Sequence, residues 1–276
     1  MAEILGEDRD AIARALAEIA LAAGPAVMEE YGKVCEARAK ADGSPVTAAD
    51  ERAEAIISAR LRALAPDIAI VAEEATAAGA ELCAPPRFFL VDPLDGTREF
   101  LARNGEFTIN IALVEHGEPI AGAVYAPAIG RLWFAGRAAF AAEVGPEGGL
   151  PPAEALKPLS VRAAPERLTA LASRSHCDPT TEAYLSRLGV EDRVSAGSSL
   201  KFCVIAEGRA DVYPRFAPTM EWDTAAGDAV LRAAGGAVAG LDGAPLKYGK
   251  LAQSLRNDGF VGFGDPSLAR RVVNAL

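Results

Sequence analysis

Two short apolar runs, residues 68–72 and 88–91, are bounded by prolines and charged residues and lead directly into carboxylates. Short apolar runs between turn-forming residues are typical of buried strands. Glu73 and Glu74 follow the first run, and Asp92 follows the second. The pattern therefore predicts a buried sheet that carries acidic side chains at the carboxyl ends of its strands.

Helical periodicity precedes this sheet. Apolar residues at helical spacing predict a first helix over residues 12–28, and Pro25 is expected to bend or interrupt it because proline lacks a backbone donor. A second helical pattern extends to residue 64, where Pro66 and Asp67 follow. Thr47, with Asp50 three residues later, resembles a capping box at the start of this second helix.

Further strands and helices follow in two groups. Apolar runs predict an antiparallel meander over residues 107–114, 120–125 and 132–135. The Gly- and Pro-rich segment 145–158 lacks periodicity and predicts a boundary between two subdomains, residues 1–150 and 151–276. In the second part, the pattern predicts strands over residues 168–173 and 210–213 and helices over residues 181–188, 198–207 and 223–234. We therefore predict a mixed α/β (α+β) fold in two parts.

The composition excludes several protein classes. Half of the 276 residues are apolar and 24% are charged, which is too apolar for a disordered chain. The 28 Lys and Arg residues against 38 Asp and Glu residues give a net charge of -10. Such a balance argues against a protein that holds duplex nucleic acid through its phosphates. An anionic substrate would need locally placed positive charge.

The amino-terminal segment and the cysteines indicate a reducing compartment. The first ten residues carry acids where a secretory signal would carry a basic region, and Arg14, Glu18 and Pro25 interrupt the apolar stretch that follows. We therefore expect a cytoplasmic protein without a transmembrane segment. Neither a disulfide scaffold nor a zinc site is expected, because no Cys-x-x-Cys pair occurs among the scattered cysteines Cys35, Cys83, Cys177 and Cys203.

The densest group of chemically useful residues is Asp92-Pro93-Leu94-Asp95-Gly96-Thr97. Two carboxylates three residues apart on a proline-stiffened turn can face one cation, the Leu94 carbonyl can join them, and Gly96 permits an unusual backbone dihedral. Such hard oxygen ligands suit Mg2+ or Ca2+ better than zinc. The alternative, an acidic surface turn that caps the next helix, remains open for this motif taken alone.

Further acids occur at similar places, and each has an ordinary structural alternative. Glu73 is explained equally by a solvated loop acid, and Asp50 and Asp223 by helix caps. If Glu73, Asp92, Asp95 and Asp223 share one pocket, however, their repulsion would be costly without cations. Four carboxylates and a phosphate dianion carry about -6 charges, which two or three Mg2+ ions would offset nearly or wholly.

A phosphate ester is therefore the substrate class that fits best. The Thr97 hydroxyl would lie beside the site, and the backbone amides of Gly96 and Thr97 at a helix start would hold phosphate oxygens.

These motifs resemble the signatures of the lithium-sensitive, Mg2+-dependent inositol monophosphatase superfamily. The similar segments are Glu73-Glu74, residues 92–97 and Trp222-Asp223-Thr224-Ala225-Ala226-Gly227. Finer detail is similar to one branch, the CysQ-type 3'(2'),5'-bisphosphate nucleotidases. The segments that carry this second resemblance are residues 42–50, 104–108, 173–176, 197–203 and 213–216.

The resemblance implies a fold, a set of ligands and a reaction. The fold would be a layered α/β/α/β/α sandwich of the inositol monophosphatase and fructose-1,6-bisphosphatase type. By position, two or three Mg2+ ions would be held by Glu73, Asp92, the Leu94 carbonyl, Asp95 and Asp223. Asp50, Glu73 and Thr97 would orient and deprotonate the attacking water. The substrate contacts would be Glu73, Leu94, Asp95, Gly96, Thr97, His176, Ser198, Lys201, Arg215 and Asp223.

The implied substrate is adenosine 3',5'-bisphosphate (PAP), hydrolysed at the 3'-phosphate to AMP, with PAPS as a second substrate in sulfur assimilation. The alternative is an inositol monophosphatase or another small phosphate-ester phosphatase, and a third possibility is a binding module without turnover. The branch also implies a monomer or weak homodimer, in some relatives peripheral to the inner membrane.

The sequence departs from the branch pattern at a few positions. Arg98 replaces a common Lys, and Ala72 and Ala75 flank the paired glutamates in place of more polar residues. Asp228 adds a carboxylate one helical turn after Asp223, and it is expected to weaken substrate binding or alter metal affinity if the two share a face.

Overall fold

A computed structural model describes residues 8–33, 38–39, 45–145, 148–172 and 179–276 of the chain. The helices are α1 Arg9–Tyr31, α2 Ala48–Leu64, α3 Glu73–Ala77, α4 Thr97–Leu101, α5 Pro179–Leu188, α6 Leu200–Ala206, α7 Ala225–Ala233 and α8 Ala269–Asn274. The strands of the first half are β1 Arg38–Ala39, β2 Pro45–Val46, β3 Ala69–Ala72, β4 Arg87–Asp95, β5 Thr108–Glu115, β6 Glu118–Ala126, β7 Arg131–Ala135, β8 Ala139–Glu143 and β9 Lys157–Pro158. Those of the second half are β10 Thr169–Leu171, β11 Asp192–Val194, β12 Val212–Arg215, β13 Thr219–Met220, β14 Ala237–Gly240, β15 Arg256–Asn257 and β16 Phe260–Phe263.

The larger sheet contains the predicted meander. Its strand order is β3-β4-β5-β6-β7-β8-β9, with β3 parallel to β4 and every later neighbour antiparallel. The meander over β5, β6 and β7 is therefore confirmed. Strand β8 was not predicted, because its alanine-rich sequence lacks the β-branched residues that favour strands.

The smaller sheet is mixed and lies in the second half of the chain. Its order is β11-β10-β12-β16-β14, in which β10 is parallel to both neighbours and β16 is antiparallel to β12 and β14. Strand β9 lies beyond residue 150 but pairs with β8 of the larger sheet. The division into subdomains at residue 150 stays a prediction.

The two sheets and the helices form five layers. Phe89 and Val91 on β4 face a core shared with α1 and α2, whereas Phe88 and Leu90 face a second core shared with α6, α7 and the smaller sheet. This alternation follows from the pleat of a strand, in which successive side chains point to opposite faces. The far face of the smaller sheet packs on α5 and α8. The layered α/β/α/β/α arrangement is thus confirmed.

Helix α1 runs through Pro25, so the interruption expected at this residue does not occur. The helix passes a length and composition test for a membrane span, with a mean hydropathy of 1.5 in its most apolar window. In the fold, 61% of that window is buried, and α1 packs on α2, β6 and β7. Its apolar character is therefore satisfied by the core of the protein.

Gly122 permits the close approach of the larger sheet to α7. A Cβ atom at this position of β6 would lie 2.9 Å from the carbonyl oxygen of Ala226 and 3.0 Å from the Cβ of Ala229. Gly122→Ala is expected to lower the free energy of unfolding by about 1–3 kcal/mol, because overpacked sites force such shifts. Chemical denaturation would measure this loss. Gly145→Ala is the control, since its Cβ would meet nothing within 4 Å, and equal stabilities of the two variants would contradict the prediction.

Candidate active site

Three carboxylates converge at the end of β4. Oxygen atoms of Asp92, Asp95 and Asp223 all lie within 4.8 Å of one another. The first two belong to β4 itself, so the expectation that they occupy a turn after the strand is wrong. The register between β4 and β5 shifts between Asp92 and Asp95. Such an irregularity re-aims side chains along a strand, and it explains how residues three apart face one site.

Burial and mutual repulsion dominate the electrostatics of this cluster. Burial raises the pKa of Asp92, and the carboxyls of Glu73, Asp95 and Asp223 raise this pKa further. The pKa of Asp223 is raised by burial and by Asp95 and Glu73. Glu73, the first residue of α3, therefore belongs electrostatically to the same group. The structure brings Asp92, Asp95 and Asp223 together, and the charge of Glu73 acts on Asp92 and Asp223.

The donor set suits a hard divalent cation. Carboxylate oxygens are the preferred ligands of Mg2+, and a cation among them would relieve the repulsion that raises these pKa values. Leu94 lies between the two aspartates of β4, its side chain packs in the core with α1 and α2, and its N–H donates to Asp92 Oδ1 at 3.0 Å. The four acids therefore form a candidate metal centre.

Asp95 is held by the second half of the chain. The Ser198 hydroxyl and the Ser199 N–H donate to Asp95 Oδ2 at 2.5 Å and 2.7 Å. These contacts and the nearby Lys201 ammonium lower the pKa of Asp95 against the larger effect of burial, which raises it. Ser198 has a left-handed backbone with φ of 51°, a conformation that clusters at functional sites in non-glycine residues.

Ser199 in turn connects Asp95 to the neighbouring strand β5. Its hydroxyl lies 2.8 Å from Thr108 Oγ1 and donates to Asn110 Oδ1 at 2.7 Å. Thr108 and Asn110 both lie on β5, beside the strand that carries Asp95. Sequence reasoning missed this buried network because threonine and asparagine at strand positions carry no distinctive spacing.

Asp223 precedes α7 but is not its cap. Thr224 occupies the N-cap position, and Asp223 Oδ2 accepts the N–H of Met220 at 2.9 Å. Asn257 supports this turn by donating to Thr224 Oγ1 at 3.0 Å and to the Met220 carbonyl at 3.3 Å. The turn therefore presents Asp223 toward β4, and the alternative interpretation of this residue as a helix cap is wrong.

Asp50 and Thr97 meet at the start of α4, just after Asp95 in the chain. Asp50 completes the predicted capping box with Thr47 at the start of α2. Its second oxygen, Oδ1, lies 3.5 Å from the Thr97 hydroxyl at the start of α4. Gly96, immediately before, adopts φ of 91°, the left-handed conformation that its motif predicted. The Asp50 carboxylate therefore both caps α2 and contacts Thr97.

A cavity of about 300 Å³ adjoins Asp95 and Asp223 and is lined by cationic side chains. Lys201 is 6% exposed; its Nζ donates to the Ser198 carbonyl at 3.0 Å and lies 5.2 Å from the centroid of the Tyr213 ring. Arg215, on β12, and Arg98 also line this cavity. His176, the remaining predicted substrate contact, lies outside the described residues.

Asp228 has a structural role that the sequence did not predict. It is fully buried, accepts two hydrogen bonds from the Arg232 guanidinium at 2.6 Å and 3.0 Å, and accepts the Tyr248 hydroxyl at 2.9 Å. Its side chain therefore points away from the Asp223 cluster. Asp223 lies in the turn before α7 whereas Asp228 lies within the helix, so the two acids do not share a helix face.

The described cysteines differ in environment. Cys203 is buried in α6, and burial raises the pKa of its thiol. Cys83 is exposed.

The chain is similar to known proteins along most of its length. Residues 8–261 match the inositol monophosphatase family. The chain is 46% identical over 246 residues to the 3'(2'),5'-bisphosphate nucleotidase CysQ of Shigella flexneri, covering 88% of this chain and 96% of that protein. The crystal structure of CysQ from Bacteroides thetaiotaomicron, a bacterial member of the inositol monophosphatase family, matches with a TM-score of 0.76 and 38% identity, over 92% of this chain and 97% of that one.

An inositol monophosphatase from Anabaena shares the fold, with a TM-score of 0.74 at 24% identity over 98% of this chain and 96% of that one. The family match spans most of the chain, and the identity to CysQ holds over nearly the whole of the relative. This chain belongs to the inositol monophosphatase family.

Proposed function

We propose that this chain is a Mg2+-dependent phosphatase that hydrolyses the 3'-phosphate of PAP to AMP and phosphate, with PAPS as a second substrate. The observation that carries the proposal is the cluster of Asp92, Asp95 and Asp223 beside a cavity lined by Lys201 and Arg215. Carboxylates that bind metal and cations that bind a second phosphate are what a bisphosphate monoester requires. The 46% identical CysQ nucleotidase supports the same substrate class.

The metal centre would be formed by four carboxylates and one carbonyl, those of Glu73, Asp92, Asp95, Asp223 and Leu94. Two or three Mg2+ ions bound there would neutralise developing charge on the phosphoryl oxygens and lower the pKa of a coordinated water. These residues would hold the ions in a partly buried site, where electrostatic interactions are stronger than in water. Without this neutralisation the same four acids would repel the phosphate.

Asp50, Glu73 and Thr97 are the proposed catalytic residues. The Thr97 hydroxyl points toward Asp50 Oδ1, while Asp50 Oδ2 accepts the N–H of Thr47 at 2.8 Å. Thr97 can therefore accept a proton from the attacking water as it donates its own toward Asp50. Glu73 would orient this water from the opposite side. The backbone amides of Gly96 and Thr97 would hold phosphoryl oxygens, since amides at a helix start favour anions.

Specificity would come from the second half of the chain. Lys201 and Arg215 would bind the 5'-phosphate that is not cleaved, and Ser198 and His176 would add polar contacts. Cationic side chains bind phosphate through charge-assisted hydrogen bonds, which are stronger than neutral ones. An inositol monophosphate carries one phosphate only and would leave these cations unused.

We further propose that the protein works in the cytoplasm as a monomer or weak homodimer. The acidic net charge of -10 favours solubility of separate molecules. Light scattering over a concentration series would test the oligomeric state, and sedimentation with anionic vesicles would test peripheral membrane association.

Phosphate release from PAP and from inositol 1-phosphate, each with Mg2+ and with chelator, tests the proposal. Rapid release from PAP that chelator abolishes is the expected result. Faster release from inositol 1-phosphate would retain the metal site and overturn the substrate assignment. Release from neither substrate would favour a binding module.

A further inference from the structure

Glu54 on α2 is a buried acid that sequence reasoning did not single out. It is 8% exposed, and its two carboxyl oxygens accept the backbone N–H groups of Glu74 at 2.7 Å and Ala75 at 2.8 Å. Both donors belong to the first turn of α3. A glutamate from one helix therefore binds the start of another.

Helix α3 depends on this external acceptor. The residue before it, Ala72, has a methyl side chain and cannot cap the helix. The first N–H groups of a helix have no intrahelical partner and require acceptors from elsewhere. The Glu54 carboxyl provides two such acceptors at once, which fixes both the position and the rotation of the first turn.

Glu73 is the first residue of that turn, directly before the two N–H groups that Glu54 accepts. Its negative charge is among the causes that raise the pKa of Asp92, so the two carboxyls lie close to each other. The direction of the Glu73 side chain thus follows from where α3 begins. A displacement of this five-residue helix would move Glu73 relative to Asp92.

One face of α2 supports both sides of the cluster. Asp50 and Glu54 are four residues apart, a spacing that places side chains on the same helix face. Asp50 contacts Thr97 at the start of α4, and Glu54 binds the start of α3. The acids one turn apart on α2 therefore align two short helices with the end of β4.

We propose that Glu54 is a positioning residue that sets the Mg2+ affinity of the cluster by holding Glu73 in place. The inference rests on the proposed metal site. Residues that orient metal ligands from outside typically change metal affinity by about 10- to 100-fold when they are mutated.

Glu54→Gln is the main test, because it keeps the shape of the side chain but turns an NH2 group toward a backbone donor. Glu54→Ala removes both acceptors. Glu51→Gln is the matched control: Glu51 lies on the same helix, is exposed and pairs with Arg38 at 2.7 Å. Calorimetric titration with Mg2+, well below the unfolding temperature of each variant, gives the affinity without turnover. Thermal unfolding in chelator gives the structural cost separately.

We expect Mg2+ affinity to fall about tenfold in Glu54→Gln, with turnover recovering at high Mg2+ and KM for PAP unchanged. Glu51→Gln should match the wild type. Unaltered Mg2+ affinity in Glu54→Gln, with only a lower unfolding temperature, would show a purely structural cap and overturn the inference. A wild-type protein that binds no Mg2+ would overturn the proposed metal site itself. The titration therefore distinguishes failure of the metal site from failure of the inference about Glu54.

Discussion

Replacing Asp92 by asparagine is expected to remove turnover while making the metal-free protein more stable. The Asp92 carboxyl is 1% exposed, and burial together with three neighbouring acids raises its pKa. Metal ions contribute several kcal/mol to stabilising a transition state, and each 1.36 kcal/mol is tenfold in rate, so turnover should fall about a thousandfold or more. Without metal, the neutral amide relieves the repulsion among the carboxylates. A gain of roughly 1–2 kcal/mol would raise Tm by about 2–4 °C.

The measurements are steady-state phosphate release with Mg2+ and thermal unfolding in chelator. Added Mg2+ should raise the Tm of the wild type and leave that of Asp92→Asn nearly unchanged, because binding to the native state stabilises it. A variant that loses stability in chelator would contradict the argument, since it would show that Asp92 supports the fold rather than strains it.

Asp211→Asn is the matched control, a second buried aspartate with the opposite environment. Asp211 is 2% exposed, accepts the Arg162 guanidinium at 2.8 Å and 2.6 Å, and accepts the Thr169 N–H at 2.7 Å. Breaking a buried ion pair costs about 3–5 kcal/mol, and the partly exposed Arg162 reduces this to about 2–3 kcal/mol. Asp211→Asn should therefore lower Tm and leave Mg2+ dependence intact.

Lys201→Gln is expected to change the substrate preference. A charge-assisted hydrogen bond is worth about 1.5–3 kcal/mol, so kcat/KM for PAP should fall about 10- to 100-fold. Lys201 also lowers the pKa of Asp95, but this effect acts on every substrate alike. The ratio of kcat/KM for PAP to that for inositol 1-phosphate therefore isolates the contact with the second phosphate.

Lys247→Gln controls for the loss of a positive charge, because Lys247 is exposed and pairs with Glu118 at 2.6 Å on the surface. Its substrate ratio should equal that of the wild type. An unchanged ratio in Lys201→Gln as well would contradict the assignment of Lys201 to the 5'-phosphate.

The parts of the structure that sequence predicts well are governed by local rules. The capping box of Thr47 and Asp50 and the meander strands depend on spacing within a few residues. The grouping of Glu73, Asp92, Asp95 and Asp223 was expected from the resemblance of their motifs to the inositol monophosphatase signatures. In these cases the local pattern and the tertiary structure agree.

The parts that sequence does not predict depend on contacts between distant residues. The register shift that aligns Asp92 with Asp95 arises from pairing with β5. Glu54 binds the Glu74 N–H on α3, which lies 20 residues later in the chain. The sequence indicated this contact only by an acid four residues after Asp50 on the buried face of α2. Asp228 resembled a site residue in sequence, and its partner Tyr248 lies 20 residues away.

The middle layer of the sandwich, formed by α6 and α7, holds the two sheets together. Helices α6 and α7 pack in one continuous core with both sheets, and Glu207 after α6 binds Arg131 at 2.6 Å and the Trp133 indole at 2.8 Å on β7. Opening the protein like a hinge between the sheets would expose this core to water, which costs free energy in proportion to the apolar area exposed. We therefore expect substrate to enter and leave without separation of the two sheets, so that Asp95 and Asp223 stay together.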